Sequence, residues 1–266
     1  MSLGGLSKIF IEWTSRCDKT HLCSMCGHQS QEINPNLRFG NMSLGLMEEL
    51  RGQLPRGIEV AFHKDGDPLA HSHVREAIDI FSGLVSTVVT HGLNLGRKAD
   101  QIIGRCSTVV VSVFRGDPDR DAQLQSIKEF CEAKGNRLPR LIVKIVGDMS
   151  ESESSVYWQY ADQVIHRLIH VPIGNSKYAH RFPTIPESGI CQDLLHVPSV
   201  AWDGRVFLCN RLDVHDAGFI GDATAQSLDE IWNGPIRQGY LQKHLIGQRT
   251  EVPPCATCEY YGVPTA

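Results

Sequence analysis

Nine cysteines stand at positions 17, 23, 26, 106, 131, 191, 209, 255 and 258 of a 266-residue chain. Seven of them fall into two groups, one near each end. An odd number cannot close into a complete set of intramolecular disulfides. Met1 to Cys17 lacks the basic flank, long apolar core and small-residue cleavage site of a secretory signal. The expected compartment is therefore reducing, the cytoplasm. Clustered cysteines there indicate metal or redox chemistry.

The first group, Cys17, Cys23 and Cys26, has the spacing C-x5-C-x2-C. Three thiolates on one loop can hold three irons of a four-iron cubane, leaving the fourth open to a small chelating ligand. Zinc is the competing reading, with His21 or His28 as fourth ligand. In the second group, Cys191 and Cys209 flank Gly204 as C-x12-G-x4-C, and Cys255 and Cys258 add C-x2-C. Four thiolates suit a second cubane or a zinc ion, and spacing alone leaves the two open. Cys106 and Cys131 read as small buried hydrophobes.

The elements that must position these groups follow from the apolar pattern. Strands are expected at 8–14, 57–63, 86–90, 108–114, 140–146 and 163–171. Helical stretches are expected at 43–54, 70–83, 98–105, 154–160 and after Gly116 through about Lys134. Six alternations of strand and helix predict βαβ units and a parallel sheet, either open and doubly wound or a partial barrel. No G-x-G-x-x-G follows the first strand, which argues against a dinucleotide-binding sheet. In a parallel barrel the chemistry sits at the C-terminal strand ends, where the first cysteine loop falls. A linker at 172–190 marks a boundary near 185. Beyond it, 197–209 reads as a hairpin turning at Asp203-Gly204. Ser227 and Glu230 have capping-box spacing before a helix.

Three cysteines after the first strand of a β/α domain resemble the radical S-adenosylmethionine (SAM) enzymes. The commoner family spacing is C-x3-C-x2-C, so this chain has two extra residues in the first gap. The family usually has an aromatic residue before the third cysteine, where Met25 stands here, able to pack on an adenine. The G-G-E-P-like turn that holds the SAM amino group corresponds to Asp65-Gly66-Asp67-Pro68, with Asp67 one methylene shorter than the family glutamate. Thr90-His91-Gly92 takes the place of T-N-G after strand three. Ser112 on strand four corresponds to the serine near the SAM ribose, and Arg120 is placed to meet the SAM carboxylate. The C-terminal spacing, with Ile220-Gly221-Asp222-Ala223 and Ser227 to Asn233, is similar to the twitch domain, the short form of the SPASM auxiliary-cluster domain.

The resemblance implies a partial (β/α)6 barrel over 1–185 and a twitch domain over 186–266. It implies two [4Fe-4S] clusters, SAM, and a flavodoxin or ferredoxin as electron donor. It also implies a 5′-deoxyadenosyl radical that abstracts a substrate hydrogen. The length and C-terminal spacing are similar to those of aminocyclitol dehydrogenases in this family. Oxidation of a secondary alcohol of a small sugar or aminocyclitol is therefore the first expectation, with the auxiliary cluster taking the second electron. Epimerisation comes second and needs a hydrogen donor such as a thiol. Modification of a ribosomal peptide comes third, and a zinc-bound β/α binding module is the non-enzymatic reading. His63, Lys64, Arg167 and His170 are candidates to bind a hydroxyl or accept its proton. For each the competing reading is an ordinary hydrogen-bonded polar residue. Lys and Arg number 26 against 30 Asp and Glu, with no basic stripe, so no nucleic-acid partner is expected. No apolar run approaches a membrane span.

Overall fold

The computed structural model describes residues 3–19, 38–147, 149–167, 190–210, 216–256 and 258. Cys23, Met25, Cys26, His170 and most of the expected linker lie outside these residues. The chain runs β1 (Lys8–Ile11), α1 (Leu44–Gln53), β2 (Glu59–Phe62), α2 (Val74–Ile80), β3 (Val85–Thr90), α3 (Ala99–Ile102), β4 (Thr108–Phe114) and α4 (Arg120–Lys134). It continues with β5 (Arg140–Val146), α5 (Glu151–Ser154) and β6 (Gln163–Arg167). After the undescribed stretch come α6 (Gln192–His196), β7 (Ser199–Val200), β8 (Arg205–Phe207), β9 (Phe219–Asp222), α7 (Leu228–Trp232) and α8 (Pro235–Leu245).

These strands make one sheet in the order β6-β5-β4-β3-β2-β1-β7-β8-β9. The first six are parallel neighbours in sequence order, which is the partial barrel read from the alternation. The sheet then continues through β7, parallel to β1, into an antiparallel hairpin, β7 to β8, and on to β9. The C-terminal strands are thus hydrogen-bonded to the first barrel strand. Gly204 makes the hairpin turn possible at φ 92°, a backbone region that glycine enters at little cost.

Side-chain alternation separates two faces of the sheet. On β4 and β5, Val109, Val111, Val113, Leu141, Val143 and Ile145 are fully buried and share the main core with Ile127 and Phe130 of α4. Their alternates Val110, Ser112, Phe114, Ile142 and Lys144 are only half-buried and form an inner face away from the helices. On β1 the outer set is Ile9, Ile11 and then Trp13, which stacks on Phe62 with ring centroids 4.0 Å apart. Removing a fully buried side chain such as Phe130 would cost about 3–5 kcal/mol through lost burial and the cavity left behind.

The expected elements differ from those observed chiefly at their ends. The helix expected over 70–83 divides into a 3-10 turn at Pro68–Ala70 and α2, with His71 and His73 between them in non-helical backbone. His71 accepts the His73 amide at Nδ1, and its Nε2 lies 3.2 Å from the Met42 carbonyl, so local side-chain bonds compete with the helix there. The helix expected at 154–160 starts earlier, at the Ser150/Glu153 capping box, and ends in a 3-10 turn at Ser155–Tyr157. The Ser227/Glu230 capping box forms as expected. The long α8 was not expected. It is anchored by Arg237, whose guanidinium stacks 3.4 Å over Trp232 and donates to the Trp232 and Leu194 carbonyls. Among the described residues no helix is long and apolar enough to cross a membrane.

Candidate functional site at the strand ends

β1, β2 and β3 end side by side, and their following loops pack into one cluster. After β1 the chain passes Glu12 and reaches Cys17. After β2 it makes the Asp65-Gly66-Asp67-Pro68 turn. After β3 it makes the Thr90-His91-Gly92 turn. The β2 turn lies directly on the β1 loop: the Asp67 amide donates to the Arg16 carbonyl at 2.9 Å. A Cβ on Gly66 would stand 2.2 Å from the Thr14 carbonyl oxygen and 2.6 Å from that of Arg16. Both obstacles are backbone, so only glycine permits this approach.

Asp67 ties the β2 turn to the β3 turn. Its carboxylate is 3% exposed and accepts from three donors. Oδ1 accepts the Leu69 amide at 2.8 Å, and Oδ2 accepts the Thr90 hydroxyl and the His91 amide at 2.7 Å each. The His91 ring lies between acids: Nε2 is 2.9 Å from Asp18 Oδ1 and 3.3 Å from Asp67 Oδ2. Burial alone would lower its pKa, but Asp67, Asp18 and the Cys17 thiol together raise it to about 10. Asp18 is in turn held below the usual carboxylate range by its hydrogen bond to His91. Ligand atoms of Cys17, Asp18 and His91 lie within 4.8 Å of one another. The three loops therefore bring together a half-buried thiol, an ion pair and a glycine-lined turn.

Glu12 is a link between the site loops that cysteine spacing and turn motifs do not reveal. Its carboxylate is buried and accepts the amides of Asp65 at 2.9 Å and Gly66 at 3.3 Å. Its second oxygen accepts the Trp202 amide at 3.3 Å, in the turn between β7 and β8. One side chain thus pins the β2 turn to the C-terminal hairpin. Burial, reinforced by the charge of Asp65 and opposed by Lys64, raises its pKa to about 6. The available signal was the alternation Lys8, Phe10, Glu12, which puts an acid on the inner face of a strand.

The other expected site residues divide. Pro68 opens the buried 3-10 turn after Asp67. Ser112 lies on the inner face of β4, and its carbonyl accepts the Gln123 amide at 3.0 Å. Arg120 points at α5: it donates to the Glu153 carbonyl at 2.8 Å and meets the Tyr157 hydroxyl. His63 packs against Phe10 with ring centroids 6.3 Å apart, and Arg167 ends β6 half-buried on the inner face. Burial, then the positive charge of Lys144, pushes the His63 pKa down to about 3, so its ring is neutral.

The structure describes seven of the nine cysteines. Cys17, Cys191, Cys209, Cys255 and Cys258 are half-buried, whereas Cys106 is buried, with its pKa pushed up to about 12 by burial. Cys131 donates to the Tyr160 carbonyl at 3.3 Å and packs against the helical core. Four half-buried cysteines on the C-terminal segment fit the thiolate ligation of an iron–sulfur cluster.

Residues 191–259 match the SPASM family, an iron–sulfur cluster-binding domain. The fold matches BtrN solved in complex with AdoMet and 2-DOIA, with TM-score 0.58, 18% identity, 95% of this chain and 92% of that chain covered. It also matches Streptococcus suis SuiB bound to S-adenosylmethionine, with TM-score 0.66, 13% identity, 95% of this chain and 70% of that one covered. SuiB bound to its precursor peptide SuiA gives TM-score 0.64 at 13% identity, with 88% of this chain and 66% of that chain covered. No curated protein matches the sequence. The chain as a whole therefore has a fold similar to those of BtrN and SuiB, and its C-terminal segment resembles an iron–sulfur cluster-binding domain. The SPASM match covers all four C-terminal cysteines, Cys191, Cys209, Cys255 and Cys258.

Proposed function

We propose that the chain is a radical SAM oxidoreductase that oxidises a secondary alcohol of a small sugar or aminocyclitol. The observation that carries this reading is the packing of three loops at the C-terminal ends of β1, β2 and β3. They set the loop leading to Cys17 against the glycine-dependent turn at Gly66, and Cys17 itself beside His91 of the Thr90–Gly92 turn. Residues 1–185 form the barrel domain and 186–266 the cluster domain in this reading. Cys17, Cys23 and Cys26 hold one [4Fe-4S] cluster, and Cys191, Cys209, Cys255 and Cys258 hold a second. When bound, the first cluster with SAM supplies hydrogen abstraction, and the second supplies an electron acceptor. A flavodoxin or ferredoxin delivers the priming electron.

The protein's own residues then have three tasks. The Asp65–Pro68 turn and Ser112 orient SAM. The inner face of the sheet excludes water and holds the alcohol. His63, neutral at physiological pH, Arg167 and His170 are the candidates to bind the hydroxyl or receive its proton.

Dehydrogenation is favoured over epimerisation by the spare thiols. Epimerisation needs a hydrogen donor beside the substrate. Cys106 is buried in the helical core, and Cys131 is directed to a backbone carbonyl beside that core. Neither is on the inner face. Modification of a peptide remains the other enzymatic reading, and SuiB with its precursor peptide is a neighbour of this fold.

The test is anaerobic reconstitution followed by iron, sulfide and 5′-deoxyadenosine analysis on one sample. About eight iron and eight sulfide per chain with 5′-deoxyadenosine release are expected for two cubanes. Zinc at one or two per chain with no SAM cleavage would refute the proposal.

A further inference from the structure

The segment that carries Cys17, Cys23 and Cys26 is closed at its base. The Ser15 amide donates to the Gly40 carbonyl at 3.1 Å, and the Gly40 amide donates to Ser15 Oγ at 2.9 Å. On the flanking residues, the Thr14 hydroxyl donates to Asn41 Oδ1 at 2.6 Å and the Met42 amide to the Trp13 carbonyl at 2.8 Å. Thr14, Ser15 and Gly40 are all buried.

A residue from the other end of the chain covers this closure. Trp202 stands in the turn between β7 and β8, and its ring lies against Gly40. A Cβ built on Gly40 would stand 2.2 Å from one ring carbon and 2.5 Å from two others. The φ of Gly40 is outside the left-handed region, so the ring, and not the backbone, excludes a side chain here. The Trp202 amide donates to Glu12 at 3.3 Å, and the other Glu12 oxygen accepts the Asp65 and Gly66 amides. The Gly66 turn itself presses on the Thr14 and Arg16 carbonyls. The base of the loop is thus gripped by the β2 turn and the C-terminal hairpin, with Glu12 joining the two. That hairpin also carries Cys209, whose carbonyl accepts the Ser199 hydroxyl at 2.8 Å.

We infer that Trp202 is a positioning residue for the N-terminal cysteine loop. Holding the ends of a long loop together costs entropy, and contacts at its base must offset that cost. The Trp202 ring shields the Ser15–Gly40 bonds from water and keeps the two arms of the loop at one separation. Cys17 follows Ser15 by two residues, so freedom at the base passes directly to it. The C-terminal hairpin therefore serves the N-terminal site mechanically, apart from any electron its own cluster accepts. The task of the loop rests on the proposed assignment of Cys17, Cys23 and Cys26 to a cluster, while the clamp rests on the contacts themselves.

The test is hydrogen–deuterium exchange of the reconstituted full chain, read on peptides that cover Ser15 and Gly40. Iron release to a ferrous chelator is followed on the same samples. Trp202→Ala should speed exchange at both amides at least tenfold. It should also release about four iron per chain at least tenfold faster, while the remaining iron keeps the wild-type rate. Trp202→Phe should restore most of the protection. Gly40→Ala reaches the same contact from the loop side with the hairpin sequence intact. It should act like Trp202→Ala, yet add nothing in the double variant, because the ring it would strike is gone. Unchanged exchange at Ser15 and Gly40 in Trp202→Ala and Gly40→Ala overturns the inference. So do additive effects in the double variant, equal acceleration across β4 and β5, or faster loss of all the iron at one rate. If replacing Cys17, Cys23 and Cys26 by alanine removes no iron while exchange responds as expected, the cluster assignment fails and the clamp stands.

Discussion

Asp67→Asn separates two tasks for the buried acid in the β2 turn. The family resemblance gives its carboxylate to the SAM amino group. The structure gives it three protein donors: the amides of Leu69 and His91 and the Thr90 hydroxyl. Asparagine keeps one acceptor oxygen. If that oxygen serves Leu69, the new amide nitrogen faces Thr90 and His91. The Thr90 hydroxyl can rotate to accept from it, but the His91 backbone N–H cannot change its role. A buried N–H left facing a donor costs roughly 1–3 kcal/mol. Loss of the carboxylate charge 3.3 Å from the His91 ring adds to this. A net loss of about 2 kcal/mol in a chain of this size lowers Tm by about 4–8 °C. Asp67→Ala, which also strands the Leu69 amide, should lose more. Thermal unfolding of the reconstituted proteins, with and without SAM, reads both tasks. An unchanged Tm with SAM affinity reduced tenfold would refute the reasoning, because the carboxylate would then serve the ligand and not the Thr90–His91 turn.

Glu12 should make stability depend on pH. Its folded pKa of about 6 lies above its ordinary 4.5, so the folded protein binds this proton more tightly than the unfolded chain. Its contribution to stability should therefore rise by up to about 2 kcal/mol as pH falls from 7 toward 4.5, and Glu12→Gln should flatten that slope in denaturant titrations at pH 7 and 5. Gly66→Ala should lower both Tm and SAM cleavage, since its Cβ would be forced against the Thr14 and Arg16 carbonyls; normal values of both would show that the two loops are not in contact. Replacing Cys255 and Cys258 together by serine should remove about four iron per chain and spare SAM cleavage, while retained iron would place the second cluster elsewhere.

Much of the scaffold was legible because periodicity reports burial directly. β4 and β5 coincide with the expected strands at 108–114 and 140–146, since alternating aliphatic residues there serve one covered and one half-open face. The hairpin at Asp203-Gly204 and the cap at Ser227 were legible because turn and cap chemistry is local. The C-terminal cysteine group was legible from its spacing, and the residues that carry it match an iron–sulfur cluster-binding domain. Helix ends were less so, as at His71, where a side-chain bond to a carbonyl 29 residues away stops the helix from starting earlier.

Tertiary structure decided which chemically capable residues face one another. The pattern D-G-D-P names an acid but not its partner, and only the packing of β2 beside β3 directs Asp67 to Thr90 and His91. Arg120 is read as a SAM contact along the sequence, yet the approach of α5 gives it the Glu153 carbonyl. Glu12 becomes the link between the β2 turn and the C-terminal hairpin because β7 pairs with β1 across nearly 190 residues of chain, a long-range pairing that no local spacing encodes.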